Sequence, residues 1–194
     1  MKQMKYNIPL VIFAGGKSSR MGQDKALIPF GGYNTLSEFQ QVRLSKLFKK
    51  IYISAKENKF DFKTNIIKDN YNESSPLVGI ISIFETLKVD KVFILSVDAP
   101  FVNKEVIDKL IKSNNRFDAV VAKSKSGVQP LCGVYKRSVL PIAKEHLKNK
   151  NHRLQSLLKK VETQFVAFED DTLFLNLNHP HEYESALKIK KENR

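Results

Sequence analysis

Lys17, Arg20 and Lys25 crowd into the stretch AGGKSSRMGQDK (14–25), directly after Gly15 and Gly16. A glycine has no Cβ, so the backbone there can come close to a ligand. Three cations around such a backbone form a cradle for an anion, and phosphate is the obvious one. Neither Gly-x-x-x-x-Gly-Lys-Ser/Thr nor Gly-x-Gly-x-x-Gly matches, so these residues alone define a phosphate loop of no specified type. The competing reading is an ordinary surface turn in a Lys-rich chain.

Three further features could do chemistry. Asp98 follows KVFILSV (91–97), the most apolar run in the chain. A carboxylate there is costly unless a cation or hydrogen bonds compensate it. Because Asn103 is available to cap the next helix, we read Asp98 as a Mg²⁺ ligand rather than a capping residue; Mg²⁺ takes one or two carboxylates plus phosphates and water. On that reading Asp98→Asn leaves the unliganded protein as stable as before, or more so. Asp69 closes NIIKD (65–69), where it could accept from a ribose hydroxyl or a base, or form an Asx-turn. Asn176 and Asn178 alternate with leucines in LNLNHP (175–180), and Asn178 also suits a helix cap. His146 and His152 read as surface helix residues, and no Ser/His/Asp triad is present. A nucleophile that is already an anion, such as a phosphate monoester with a second pKa near ~6, needs positioning and charge neutralisation rather than a base.

These residues need a scaffold that gathers them. The apolar runs at 8–13, 51–55, 65–69, 91–97, 118–124 and 164–168 read as strands, several continuous enough to be buried on both faces. A further extended segment spans 129–135, with Pro130 suggesting an edge or irregular position. Helical periodicity covers 37–49, a helix opening at Ser75-Pro76, one capped by Asn103, two within 137–161, and one from Pro180 to about 190. Strands alternating with helices predict an α/β fold: a three-layer αβα sandwich on a mostly parallel, twisted sheet, Rossmann-like, in one domain over residues 1–194. Ligands bind such sheets outside the carboxyl ends of the strands, where all four features fall.

The 33 basic and 20 acidic residues give a net charge of +13. The lysines are spread along the chain and the phenylalanines fall at core periodicity, so the charge fits small polyanionic ligands better than nucleic acid. The single Cys132 allows no internal disulfide, and no run approaches the roughly 20 apolar residues of a membrane span. The apolar run 8–14 is short for a signal peptide and contains Pro9, which predicts a cytoplasmic protein.

AGGKSSRMGQDKAL resembles the signature Leu-Ala-Gly-Gly-x-x-x-Arg-Met-Gly-x-Asp-Lys of the molybdenum cofactor guanylyltransferase family of nucleotidyltransferases. SSPLVGI (74–80) is similar to that family's Gly-Pro-Leu-x-Gly-Ile, SVDAPF (96–101) to its Asp-x-Pro, and LNLNHPHEY (175–183) to its Asn-x-Asn-x-Pro-Glu-Glu. The resemblance implies the nucleotidyltransferase fold and transfer of GMP from GTP to Mo-molybdopterin, with release of pyrophosphate. Phe13, Ala14, Gly15 and Gly16 would then meet the nucleotide, with Ser54 and Asp69 as further contacts. Arg20 and Lys25 would contact the triphosphate, and Asp98 would bind Mg²⁺ and the nucleotide. Asn176 and Asn178 would face the pterin. Molybdoenzyme-maturation proteins are the partners this implies, without membrane or nucleic acid. Ser54 stands where a family member carries Asn, and Ser75 where it carries Gly. A related transferase using CTP or a sugar-phosphate acceptor is the alternative.

Overall fold

A computed structural model of the chain describes residues 4–15, 22–113 and 116–192. Its strands are β1 (Leu10–Phe13), β2 (Ile51–Ala55), β3 (Ile66–Lys68), β4 (Lys91–Ser96), β5 (Ala119–Ser124), β6 (Gly127–Lys136) and β7 (Thr163–Ala167). Its helices are α1 (Leu36–Ser45), α2 (Pro76–Leu87), α3 (Lys104–Lys112), α4 (Leu140–Lys148), α5 (Leu154–Lys160) and α6 (Pro180–Glu192). The strands form one sheet in the order β3-β2-β1-β4-β6-β5-β7. All neighbours run parallel except β6, which is antiparallel to both β4 and β5.

The apolar alternation of the strands feeds two cores. Leu10, Ile12, Phe93 and Leu95 point to one face, where Phe39, Leu44, Val106, Leu110 and Ala186 of α1, α3 and α6 cover them. Val11, Phe13, Val92 and Ile94 point to the other, under Leu77, Ile80, Phe84, Ala143 and Leu157 of α2, α4 and α5. Helices on both faces make the three-layer α/β sandwich that the element order predicts. The expected caps are in place: Ser75 Oγ accepts from the Val78 N–H at 3.3 Å, and Asn103 Oδ1 from the Val106 N–H at 3.1 Å.

The edge alternative for Pro130 does not hold, because β6 lies inside the sheet. The strand tolerates proline through its irregularity. Against β5 the register jumps from Val121↔Gly133 to Ala122↔Gln129, which bulges residues 130–132 out of that ladder. The N–H that proline lacks is therefore not needed there. Gly133, just beyond, has no substitute: a Cβ would lie 2.3 Å from the Val120 carbonyl oxygen. Helix α1 stops at Ser45, short of the predicted 49; Leu47 follows in a turn and Phe48 in an isolated parallel bridge to Tyr6.

Candidate active site

Because β1 to β4 are parallel, their carboxyl ends lie side by side. Phe13 pairs with Ser54 on β2 and Ser96 on β4, and Ser54 pairs in turn with Ile67 on β3. That register sets Phe13–Gly15, Ser54, Asp69 and the turn carrying Asp98 along one rim. The chain reverses its direction of travel across the sheet between β1 and β4, so the rim holds the crevice where such sheets bind ligands.

Two cavities open on that rim. One, of about 550 Å³, is lined by Phe13, Gly15, Ser54, Lys56, Asp69, Asn72, Ser74, Ser75 and Gly79. The other, of about 420 Å³, is lined by Asp98, Gln129, Cys132, His152, Arg153, Gln155, Asn176 and Asn178. Pro76, Ser96 and Leu131 belong to both, so the cavities adjoin. The bulge of β6, through Pro130 and Leu131, forms part of the second wall. Helix α2 needs glycine at position 79, since a Cβ there would lie 2.6 Å from Phe13 Cε1. The Phe13 ring can therefore lie against the helix at the floor of the first cavity.

Lys25 and Asp98 meet, although 73 residues separate them. Lys25 opens a 3-10 turn (Lys25–Leu27) in which the Asp24 carboxylate accepts from the Ala26 N–H at 2.9 Å. Ser37 Oγ ties the turn to α1 by donating to the Ala26 carbonyl at 2.8 Å. From this base the Lys25 ammonium donates to Asp98 Oδ2 at 2.6 Å and to Asn178 Oδ1 at 2.8 Å. The carboxylate at the end of the most apolar strand is thus compensated by an ammonium of the protein itself. The sequence reading assigns that compensation to Mg²⁺; the Lys25 ammonium supplies it within the protein.

The cap reading of Asn178 is corrected. The Glu182 carboxylate reaches back to accept from the N–H groups of Asn178 and His179, both at 2.7 Å. An acidic group at the positive end of α6 does this work well. The Asn178 side chain is left for Lys25. Between the two asparagines, buried Leu177 donates its N–H to the Asp98 carbonyl at 3.0 Å, which holds the 176–178 segment beside the Asp98 turn.

That turn is buttressed by polar residues that periodicity assigned no role. Gln40, fully buried on α1, donates from Nε2 to the Val97 carbonyl at 2.9 Å. Arg43 holds Gln40 Oε1 at 2.7 Å through Nε and the Val102 carbonyl at 2.8 Å through Nη1. Burial pushes the Arg43 guanidinium down to about 10, still charged at neutral pH.

Ala14 is engaged by the fold: its N–H donates to the Ser54 carbonyl at 3.0 Å and its carbonyl accepts from Lys59 Nζ at 3.1 Å. Gly16, Lys17 and Arg20 lie outside the described residues. His152 is not a surface helix residue. It sits in the connection before α5, with Nδ1 2.9 Å from Ser75 Oγ, and it faces the second cavity. His146 is buried on α4. No spacing in the sequence signals either placement.

Burial pushes the Asp69 carboxyl above its ordinary range, and nearby Lys56 only partly opposes the shift. A raised carboxylate pKa means that the fold disfavours the charged form, so protonation stabilises it. We therefore expect unliganded Asp69→Asn to melt higher than the parent at neutral pH. That gain should fade as pH falls through the raised pKa and vanish below about 3.8. The shift in melting temperature produced by nucleotide should shrink in the same variant. A lower melting point at neutral pH would instead assign Asp69 a structural role.

The mostly parallel sheet with its crevice at the β1/β4 reversal, and the cation–carboxylate pair beside it, define an α/β protein with a ligand site at the carboxyl ends of its strands. Comparison with known proteins carries this further. The family model for the MobA-like NTP transferase domain matches residues 10–165. A molybdenum cofactor guanylyltransferase of Campylobacter jejuni is 40% identical over 187 residues, which cover 95% of this chain and 96% of that protein. One of Helicobacter pylori is 38% identical over 191 residues, covering 96% and 94%. The solved structure of molybdopterin-guanine dinucleotide biosynthesis protein A from Archaeoglobus fulgidus shares the fold, with a TM-score of 0.83 at 18% identity over 95% of this chain and all of that one. The chain belongs to the MobA-like nucleotidyltransferase family, among the molybdenum cofactor guanylyltransferases.

Proposed function

We propose that this enzyme transfers GMP from GTP to the terminal phosphate of Mo-molybdopterin, releasing pyrophosphate and forming the molybdopterin guanine dinucleotide cofactor. The observation that carries the reading is the pair of adjoining cavities, with Asp98 in the wall of the second and the Lys25 ammonium bonded to it. A group-transfer enzyme must hold donor and acceptor next to each other with cationic charge near the reacting phosphates. The first cavity takes the nucleotide, with Phe13 and Gly15 at the base and ribose, Ser54 and Asp69 as further contacts, and Ala14 holding the backbone between them through its bonds to Ser54 and Lys59. Gly16 and Arg20 complete the phosphate loop. The second cavity takes the pterin, which Asn176 and Asn178 face. The acceptor phosphate is already an anion, which agrees with a rim built around a cation–carboxylate pair rather than a catalytic triad.

Among the described residues no group of three or more His, Cys, Asp or Glu side chains could hold a metal ion. One carboxylate, Asp98, at a cavity wall suits Mg²⁺ that completes its shell with phosphate oxygens and water. Bound there, the ion would neutralise charge on the phosphates. Among the described residues no helix is long and apolar enough to cross a membrane, and we place the enzyme in the cytoplasm, passing its product to molybdoenzyme-maturation proteins.

A nucleotide panel tests the reading. Thermal melts with GTP, CTP, ATP or UTP and Mg²⁺ should show the largest stabilisation with GTP, about 2.7 kcal/mol at a hundredfold excess over Kd. An equal response to all four would remove the assignment of guanine. A larger response to CTP would transfer the function to the cytidylyl alternative.

A further inference from the structure

Lys59 lies in the connection between β2 and β3, outside every motif described above. Its ammonium joins three separate parts of the rim. It donates to the Ala14 carbonyl, just past β1, at 3.1 Å, and it forms an ion pair with Asp24 Oδ2. The other carboxylate oxygen of Asp24 accepts from the Ala26 N–H at 2.9 Å, and the Asp24 carbonyl accepts from the Leu27 N–H at 3.0 Å. Asp24 therefore closes the turn that carries Lys25 with one oxygen and anchors that turn to Lys59 with the other. Lys59 and Asp24 are only 21% and 32% exposed, so solvent screens the pair incompletely. Neither Lys59 nor Lys25 lines the two cavities, but Lys25 bonds directly to Asp98 and Asn178 of the second cavity, whereas Lys59 bonds to Asp24 and the Ala14 carbonyl, which line neither.

We propose that Lys59 is a positioning residue for nucleotidyl transfer. By clasping Asp24 to the end of β1, it sets where the Lys25 ammonium stands relative to Asp98 and the triphosphate. In this proposal Lys59 acts through Lys25 rather than on the nucleotide. An ammonium on a flexible stem holds its place only if its base is held, and displacement by about 1 Å costs a catalytic group up to about a hundredfold in rate. The base of Lys25 has two supports: Ser37 from the α1 side and the Lys59–Asp24 pair from the β2–β3 side.

This inference rests on the nucleotidyltransferase reading, and a double-mutant cycle separates the two. GTP affinity with Mg²⁺ would be measured by calorimetry for the unchanged protein, Lys59→Met, Lys59→Arg, Lys25→Ala and the Lys59→Met/Lys25→Ala double variant. Methionine keeps an apolar stem and removes the charge. Lys59→Met should weaken GTP binding by about tenfold, and Lys59→Arg should recover most of the loss. In the Lys25→Ala background, Lys59→Met should change affinity by less than about twofold, because the residue acts through Lys25. Equal losses in both backgrounds would overturn the positioning role while leaving the enzyme reading intact. Failure of the unchanged protein to bind GTP would overturn both. Should Lys59→Met fail to fold, Asp24→Asn breaks the same clasp from its other side and must show the same dependence on Lys25; independence from Lys25 overturns the proposal.

Discussion

Asp98→Asn is expected to lower Mg²⁺-dependent guanylyl transfer by about 10³ and, in the unliganded protein, to lower the melting temperature as well. The substitution keeps the shape of the side chain and removes its charge. Loss of activity follows from the position of the carboxylate: it lines the second cavity two residues beyond Ser96, a wall of both. Removal of one preorganised electrostatic group at a reacting phosphate costs about 10²–10³, and on the proposed reading a Mg²⁺ ligand would go with it. The stability effect follows from Lys25, whose ammonium stands 2.6 Å from Asp98 Oδ2 with both side chains less than one-fifth exposed. Removing one partner leaves the other charge poorly compensated, at a cost of about 1–3 kcal/mol. This sign is opposite to the one predicted from sequence, where Mg²⁺ is the only cation assigned to Asp98 and Lys25 is not paired with it. Pyrophosphate release measured against Mg²⁺ concentration, with a melt in the absence of nucleotide, tests both halves. A variant that keeps its Mg²⁺ response would remove Asp98 from the metal site.

Lys25→Ala is expected to lower turnover by about 10² or more, with a smaller loss of stability. Lys25 and Asp98 pair with each other across the rim. Triphosphate and its metal would give each a stronger partner, so one pair serves both states. The double variant Lys25→Ala/Asp98→Asn gives the sharper reading. It removes both charges together, so its melting temperature should recover above that of either single variant, as when a partly buried ion pair is deleted whole. Its turnover should stay at the level of the worse single variant. Recovery of stability without recovery of rate would separate the structural use of the pair from its catalytic use. Two independent, additive stability losses would show that the contact contributes nothing to the fold.

How far the sequence alone reaches can be judged residue by residue. The run from Leu10 to Phe13 is buried at every position and pairs on both sides, as an unbroken apolar strand should. Ser75 and Asn103 cap the helices they precede, because a cap is a contact between near neighbours in the chain. The placement of Phe13, Ser54, Asp69 and Asp98 on one rim also followed from element order, since parallel strands put all their carboxyl ends together. These properties depend on local spacing and on one general rule of topology.

The partners across the rim were not legible. Lys25, Asp98 and Asn178 come from three distant segments, and their meeting depends on the 176–178 stretch returning to the end of β4. Gln40 and Arg43 were polar positions on a helix with no visible task, yet they brace the Asp98 turn through buried carbonyls. His152 looked solvated until the Ser75 hydroxyl was placed beside it. The interior, antiparallel position of β6, and with it the bulge that walls the second cavity, belongs to the same class. Periodicity reports whether a side chain is buried and on which face. It carries no record of which distant group will satisfy a charge or a hydrogen bond, because that choice is made only when strand order and helix docking bring the two together.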